Sequence, residues 1–245
     1  MVYKPAEYWS SVGDRIEARG GDVVAGDDTP YFRYKRRRFL ERFLENLEIS
    51  GKRVLEVGPG PGGNLTFLSG RGATRLVGVD VAPTMVRLAR ARGHEVHETD
   101  GNTLPFEDQE FDVVFSATVL HHNPRIDSLL GEMCRVARRV VLFEDTAPTH
   151  RRESDAFFRR TRAEYATIAG ACGYRLVESE PLRISASTFA HRVAMAVADR
   201  RGRDEGEPVP SLVARVERLL LPATMRLDRY IPPRRTLSKM VFSSD

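Results

Sequence analysis

Between Lys52 and Glu178 the chain alternates short apolar runs with amphipathic stretches, and this alternation leaves few folds open to it. Strands are predicted at Arg53–Val57, Arg75–Val79, Glu95–Glu98, Phe111–Ser116, Arg139–Glu144 and Tyr174–Glu178, with helical patterns at Thr84–Arg92 and Ile126–Ala137 between them. Strands joined through helices run parallel with right-handed crossovers, so helices cover both faces of a doubly wound sheet. Ligands of such sheets sit outside the carboxyl ends of the strands, where strand order reverses. The residues to inspect are therefore Gly58–Asn64, Asp80, Asp100, Ser116–Asn123 and Glu144–Thr146.

A length of 245 residues suits one domain with a modest insertion. With 41% apolar and 29% charged residues, the chain reads as globular rather than disordered or membrane-embedded. No run approaches the roughly 18 uncharged apolar residues of a membrane span. The first ten residues lack the apolar core of about 7–15 residues that a secretory signal needs. Two cysteines, Cys134 and Cys172, make neither a disulfide framework nor a Cys-rich metal site. The expected location is the cytoplasm. The net charge of +4 is carried largely by arginine, and the runs at 35–38, 159–160 and 200–201 offer phosphate contacts. The 34 interspersed acidic residues weaken that reading, and charge alone does not choose the partner.

Strand one runs into Val54-Leu55-Glu56-Val57-Gly58-Pro59-Gly60-Pro61-Gly62-Gly63-Asn64. Gly58, Gly60 and Gly63 satisfy a dinucleotide fingerprint, and Asp80 closes strand two. A pyrophosphate would be bound by backbone N–H groups here, yet Pro59 and Pro61 remove two donors and Glu56 repels phosphate. An adenosyl ligand with a positive sulfonium and no phosphate suits the loop better. Glu56 favours its cationic end, and Asp80 accepts from ribose hydroxyls. That ligand is S-adenosylmethionine; a nicotinamide-dependent oxidoreductase is the alternative. Plainer roles stay open: the glycines as a tight turn, Asp80 as a cap for a helix at Pro83, and Asp100 as a cap for its own loop.

The sequence resembles the class I S-adenosylmethionine-dependent methyltransferases of small-molecule type. The likeness rests on residues 54–64, Val-Gly-Val-Asp (77–80), Asp-Gly-Asn-Thr-Leu-Pro-Phe (100–106) and Phe-Asp-Val-Val-Phe-Ser (111–116), in that order. It implies a seven-stranded, mostly parallel sheet whose last strand, at Thr236–Phe242, is antiparallel. It also implies that Glu56, Gly58, Gly60 and Gly62 surround the methionine part, with Asn64 and Ser116 completing the cofactor set. Asp80 would bind ribose, Val81 and Met85 would flank adenine, and Asp100 and Gly101 would meet its edge. The Pro-Gly-Pro filling departs from the family by stiffening the loop. Arg33 or Lys35 is a candidate partner for the methionine carboxylate, against a solvated basic face. Tyr8 and Trp9 are candidates for an aromatic cover over the sulfonium and substrate, against simple packing on the sheet edge.

Methyl transfer is an in-line displacement that depends mainly on positioning, and a base is needed only for an acceptor carrying a proton. Ser116-Ala117-Thr118-Val119-Leu120-His121-His122-Asn123 lacks the Pro-Pro-aromatic signature of enzymes that grip nucleobase or amide nitrogens, which argues against nucleic acid. His122 is the preferred base or orienting group, with His121 beside the acceptor; the alternative is that both cap the region around Pro124. Glu144 and Asp145 are predicted to face the same mouth and join the catalytic set, or else to cap a helix after Pro148. The spacing of these four residues matches no metal site, so no metal is expected. The reading is methyl transfer to an O or N atom of a bulky, partly hydrophobic small molecule, with RNA or protein as alternative acceptors.

The expected division is N-terminal helices over residues 1–50, the cofactor-binding core over 51–183, a helical insertion over 184–235 and the last strand over 236–245. In the insertion Phe189, Val193 and Val197 share one helical face, and Leu212, Val213, Val216, Leu219 and Leu220 share another before Pro222 ends that helix. These faces suit a lid over the acceptor, a sheet flank, the interface of a homodimer, or peripheral membrane contact through residues 219–221 with Arg215 and Arg218.

Overall fold

A computed structural model describes residues 4–20, 29–154, 156–198, 206–233 and 236–244. Helices α1 (Pro5–Ala18) and α2 (Pro30–Glu45) precede the sheet. Then follow β1 (Arg53–Val57), α3 (Gly63–Leu68), β2 (Arg75–Asp80), α4 (Pro83–Ala91) and β3 (Glu95–Glu98). The chain crosses back through β4 (Val113–Ala117), α5 (Ile126–Val136) and β5 (Arg139–Thr146). The short strands β6 (Arg151–Ser154) and β7 (Phe157–Arg159) come next, then α6 (Arg162–Ala171), β8 (Arg175–Pro181), α7 (Ser185–Val197), α8 (Ser211–Leu227) and β9 (Thr236–Ser243).

The seven-stranded sheet has the order β3-β2-β1-β4-β5-β9-β8. Pairs from β3 to β5 are parallel, while β9 lies antiparallel between β5 and β8. Strand order reverses between β1 and β4, so the carboxyl ends of these two strands open the crevice that binds ligands in this architecture. Alternation along each strand sorts side chains between two cores. Leu55, Val57, Val114 and Leu142 pack with α5 and α6, whereas Val54, Phe115 and Phe143 pack against Phe39, Leu40 and Phe43 of α2. A smaller cluster of Val12, Ile16, Ala82 and Met85 fastens α1 to α4 beside the crevice.

Two expectations are corrected. Strands β6 and β7 pair antiparallel where a helix after Pro148 was expected. Its strand β6 is wholly exposed and arginine-rich, with no apolar period to announce it. Pro222 does not end its helix but sits inside α8, on the solvent side. There water can serve the carbonyl that the missing N–H leaves without a partner.

Candidate active site

Gly58 follows β1 with φ +75° and donates its N–H to the Val79 carbonyl at 2.8 Å. A Cβ at this position would lie 2.4 Å from Val119, so only glycine lets the loop approach the 119–122 turn. Gly60, at φ +53°, donates its N–H to Asp80 Oδ2 at 3.0 Å, and the Ala82 N–H reaches Asp80 Oδ1 at 3.0 Å. The carboxylate at the end of β2 thus anchors the loop while lining the crevice. Burial pushes its pKa up to about 6 against the opposing pull of the Ala82, Gly60 and Val81 N–H groups. The helix from Pro83 takes Ala82 as its N-cap, without a side-chain cap.

The crevice is a cavity of about 920 Å³, in the range of small-molecule and cofactor sites. Gly58, Gly60, Asn64, Asp80, Val81 and Met85 line one half, together with Asp100 and Gly101. Asp100 also closes its own turn. Its Oδ1 accepts from Asn102 and Thr103, and their N–H groups, Thr103 first, hold the carboxyl below its usual range. Glu56 lies one layer deeper, on the α2 face of β1. Asn64 Nδ2 donates to its Oε1, and its buried Oε2 has no hydrogen-bond partner. Burial raises Glu56 to about 8; the Asn64 bond lowers it, nearby Asp80 raises it, and the Arg36 charge lowers it. A buried, unsatisfied carboxylate oxygen behind the glycine loop fits a cationic ligand.

The acceptor half is built around the turn at residues 120–122. Thr118, a non-glycine residue at φ +60°, swings the chain out of β4. Glu144 Oε1 then accepts from the Val119 and Leu120 N–H groups at 2.9 and 2.8 Å, and Oε2 lies 2.7 Å from His121 Nδ1. Burial works against the Glu144 anion. The His121 charge and hydrogen bond and the two N–H groups outweigh it and hold the carboxyl below the usual range. A carboxylate on Nδ1 leaves His121 Nε2 as the acceptor in the neutral ring. The Nδ1 of His122 faces the Ala156 carbonyl at 2.8 Å, so it carries the proton and its Nε2 is likewise an acceptor. Burial and the neighbouring His121 push His122 down to about 4, so it is neutral near pH 7. Both rings line the cavity, 4.1 Å apart between centroids. Trp9 of α1 meets His122 edge-on at 4.9 Å.

The structure thus gathers most expected residues; Glu56 lies behind the cavity wall, and five others are relocated. Glu144 shares the Leu142 face of β5 and lies beneath the turn, so it positions His121 rather than facing the mouth; Asp145 does line the cavity. Ser116 is buried on the Val114 face of β4, off the cavity wall. Gly62 is the N-cap of α3, where a Cβ would meet His94 rather than a ligand. Arg33 points outward; Phe32, Lys35, Arg36 and Phe39, at i, i+3, i+4 and i+7, line the cavity instead. Tyr8 stacks edge-on against the outside of Trp9, which alone of the pair reaches the cavity.

Arg36 entered the sequence reading only within the basic run 35–38, although it sits on the Phe32–Phe39 stripe. Burial lowers it to about 10, with Glu56 opposing and Arg92 adding to the fall. Arg160 entered it only within the basic run 159–160. It is buried, and its guanidinium donates to the carbonyls of Leu120, Asn123 and Pro124 at 3.1, 2.6 and 3.2 Å, clamping the hairpin to the histidine turn.

Residues 55–142 match the family described as a methyltransferase domain. A phthiotriol/phenolphthiotriol dimycocerosates methyltransferase of Mycobacterium ulcerans is 34% identical over 116 residues, 44% of this chain and 43% of that one. A fatty-acid O-methyltransferase of Mycolicibacterium smegmatis is 37% identical over 111 residues, 42% and 40% of the two chains. The matches thus span 40–43% of these curated relatives. Among solved structures, a [4+2]-cyclase, SpnF, superposes with a TM-score of 0.68 at 17% identity, over 97% of this chain and 94% of that one. Residues 55–142, which carry the sheet from β1 into β5, are thus similar to a methyltransferase domain.

Proposed function

We propose that this protein transfers a methyl group from S-adenosylmethionine to the oxygen atom of a hydroxyl group on a bulky, lipid-like small molecule. The observation that carries the reading is the Glu144–His121 pair, set in the same cavity as the glycine loop and Asp80. When bound, S-adenosylmethionine supplies a methyl group already activated by its sulfonium. Gly58 and Gly60 let the backbone approach it, Asp80 accepts from its ribose, and Val81 and Met85 provide apolar walls for adenine. Glu56 offers negative charge to its cationic end.

The histidines serve the acceptor. His121 Nε2 is placed to take the proton of an acceptor hydroxyl, and the buried Glu144 carboxylate would stabilise the imidazolium that results. His122, neutral over the physiological range, orients the acceptor through its own Nε2. Trp9, Phe32, Phe39, Phe157 and Met195 supply the apolar lining that a lipid-like chain requires. The acceptor class of the two mycobacterial relatives agrees with that lining. A cyclase shares this fold, so the fold by itself does not choose the reaction; the base pair favours proton-coupled O-methylation.

The test is an assay with methyl-labelled S-adenosylmethionine against long-chain hydroxylated and carboxylic acceptors, with products identified by mass. Label transferred to hydroxyl oxygen supports the reading. Label appearing solely on nitrogen of small polar amines, or solely on bulk RNA, overturns it.

A further inference from the structure

Helices α7 and α8 pack side by side, and their inner faces are tied to α2 by buried polar contacts. Glu217 accepts from the Tyr31 N–H and pairs with His191, while Asp228 accepts from the Tyr34 hydroxyl and the Ala186 N–H. Their outer faces carry a different chemistry. Phe189 on α7 is 69% exposed, with Val193 and Val197 following at i+4 and i+8. On α8 and the turn after it, Leu212, Leu219 and Tyr230 repeat at i, i+7 and i+18, and the last two are 79% and 80% exposed. Beside these apolar stripes stand the exposed Arg192, Arg215, Arg218, Arg226 and Arg229. The acidic residues within these helices and the following turn, Glu217 and Asp228, are both buried in the inner face.

A layer that shows solvent large apolar groups and arginines, with no acid between them, matches the surface chemistry of an anionic bilayer. It does not match a second copy of itself, because the arginines of two such faces would repel. Phosphate strands of nucleic acid would match the arginines and leave the aliphatic stripe wet. Among the described residues no helix is long and apolar enough to cross a membrane, so contact of this kind is peripheral. Met195 lines the cavity from the same helix that carries Phe189 and Val193, which places the surface next to the acceptor site.

We infer that the outer face of α7 and α8 docks on anionic lipid surfaces, so that a lipid-like acceptor enters the cavity from the bilayer rather than from bulk water. The acceptor clause rests on the proposed function; the docking itself does not. Co-sedimentation of the full chain tests it, with vesicles of pure phosphatidylcholine and of phosphatidylcholine with 30% phosphatidylglycerol at two salt concentrations. The wild type is expected to sediment with the phosphatidylglycerol vesicles, more weakly at high salt, and with pure phosphatidylcholine far less. Arg215→Ala with Arg226→Ala should weaken partitioning about 25-fold, each arginine near a charged surface being worth on the order of fivefold. Phe189→Glu with Leu219→Glu should abolish it, and Phe189→Ser with Leu219→Ser serves if the glutamates lower the melting temperature. Wild type that stays in the supernatant overturns the proposal. So does equal sedimentation of wild type and the Phe189/Leu219 variants, or a solution dimer that these substitutions convert to monomer. S-adenosylmethionine titration of the same variants reads the cofactor site separately, so the two accounts fail independently.

Discussion

Replacing Glu144 with glutamine tests the base with little change in shape. The amide oxygen can still accept from the Val119 and Leu120 N–H groups, so the turn keeps its supports. The amide nitrogen then faces His121 Nδ1 and donates to it, which forces the proton onto Nε2. His121 would present a donor to the acceptor where it had presented a lone pair. The lost charge can be sized. Carboxylate and imidazolium with charge centres roughly 4 Å apart interact by about 4 kcal/mol at an effective dielectric near 20. That is about a thousandfold in rate, inside the 10²–10⁴-fold span of general-base catalysis. Glu144→Gln should therefore lower kcat about 10³-fold in the labelled-methyl assay while affinity for S-adenosylmethionine stays near wild type. A kcat within threefold of wild type in a folded variant would refute the base assignment and leave catalysis to positioning. Glu144→Ala is the poorer test, since two buried N–H groups lose their acceptor at about 1–3 kcal/mol each.

Three more outcomes follow from the buried groups. Glu56 has its pKa raised from 4.5 to about 8 in the folded chain, so the stability gained from its protonated form is complete below 4.5 and falls as pH rises toward 8. Thermal melts from pH 5 to 9 should show that decline in the wild type and a flatter profile in Glu56→Gln; identical profiles would remove Glu56 from the account. A cation held near Glu56 favours its ionised form, so S-adenosylmethionine binding at pH 7 should release protons, read as a buffer-dependent enthalpy that Glu56→Gln abolishes. Arg160→Ala strips three carbonyls of a charged donor and should cost about 1.5–3 kcal/mol, or very roughly 3–12 °C in Tm. It should also lower kcat more than it changes S-adenosylmethionine affinity, because the clamp holds the histidine turn; an unchanged Tm and kcat would contradict the clamp.

The sheet and the glycine loop were legible because continuous apolar runs and strand-end carboxylates are local signals. Asp80, Val81, Met85 and Gly101 line the cavity as the loop chemistry and the resemblance together imply. The relocated residues went astray through facing, not identity. Ser116 and Glu144 lie at strand ends, yet the alternation set by Val114 and Leu142 turns them inward, and that pattern was there to be read. Arg33 or Lys35 was named for the methionine carboxylate, whereas the inward stripe of α2 is formed by Phe32, Lys35, Arg36 and Phe39. The proposal of His121 rather than His122 as the base could not be reached from sequence, because Glu144 comes beneath His121 only through the pairing of β4 with β5. The β6–β7 hairpin left no signal, since the arginines of β6 face water and its hold on the turn runs through the Arg160 guanidinium and the Ala156 carbonyl.

The most direct measurement is calorimetric titration of S-adenosylmethionine into the wild-type chain and into Asp80→Ala. The account predicts one site per chain, with affinity about 10–100-fold weaker in the variant from loss of a charge-assisted hydrogen bond worth about 1.5–3 kcal/mol. NAD should give no heat. A folded wild-type chain that binds no S-adenosylmethionine at millimolar concentration, or an Asp80→Ala variant that binds it as tightly as wild type, would contradict the account.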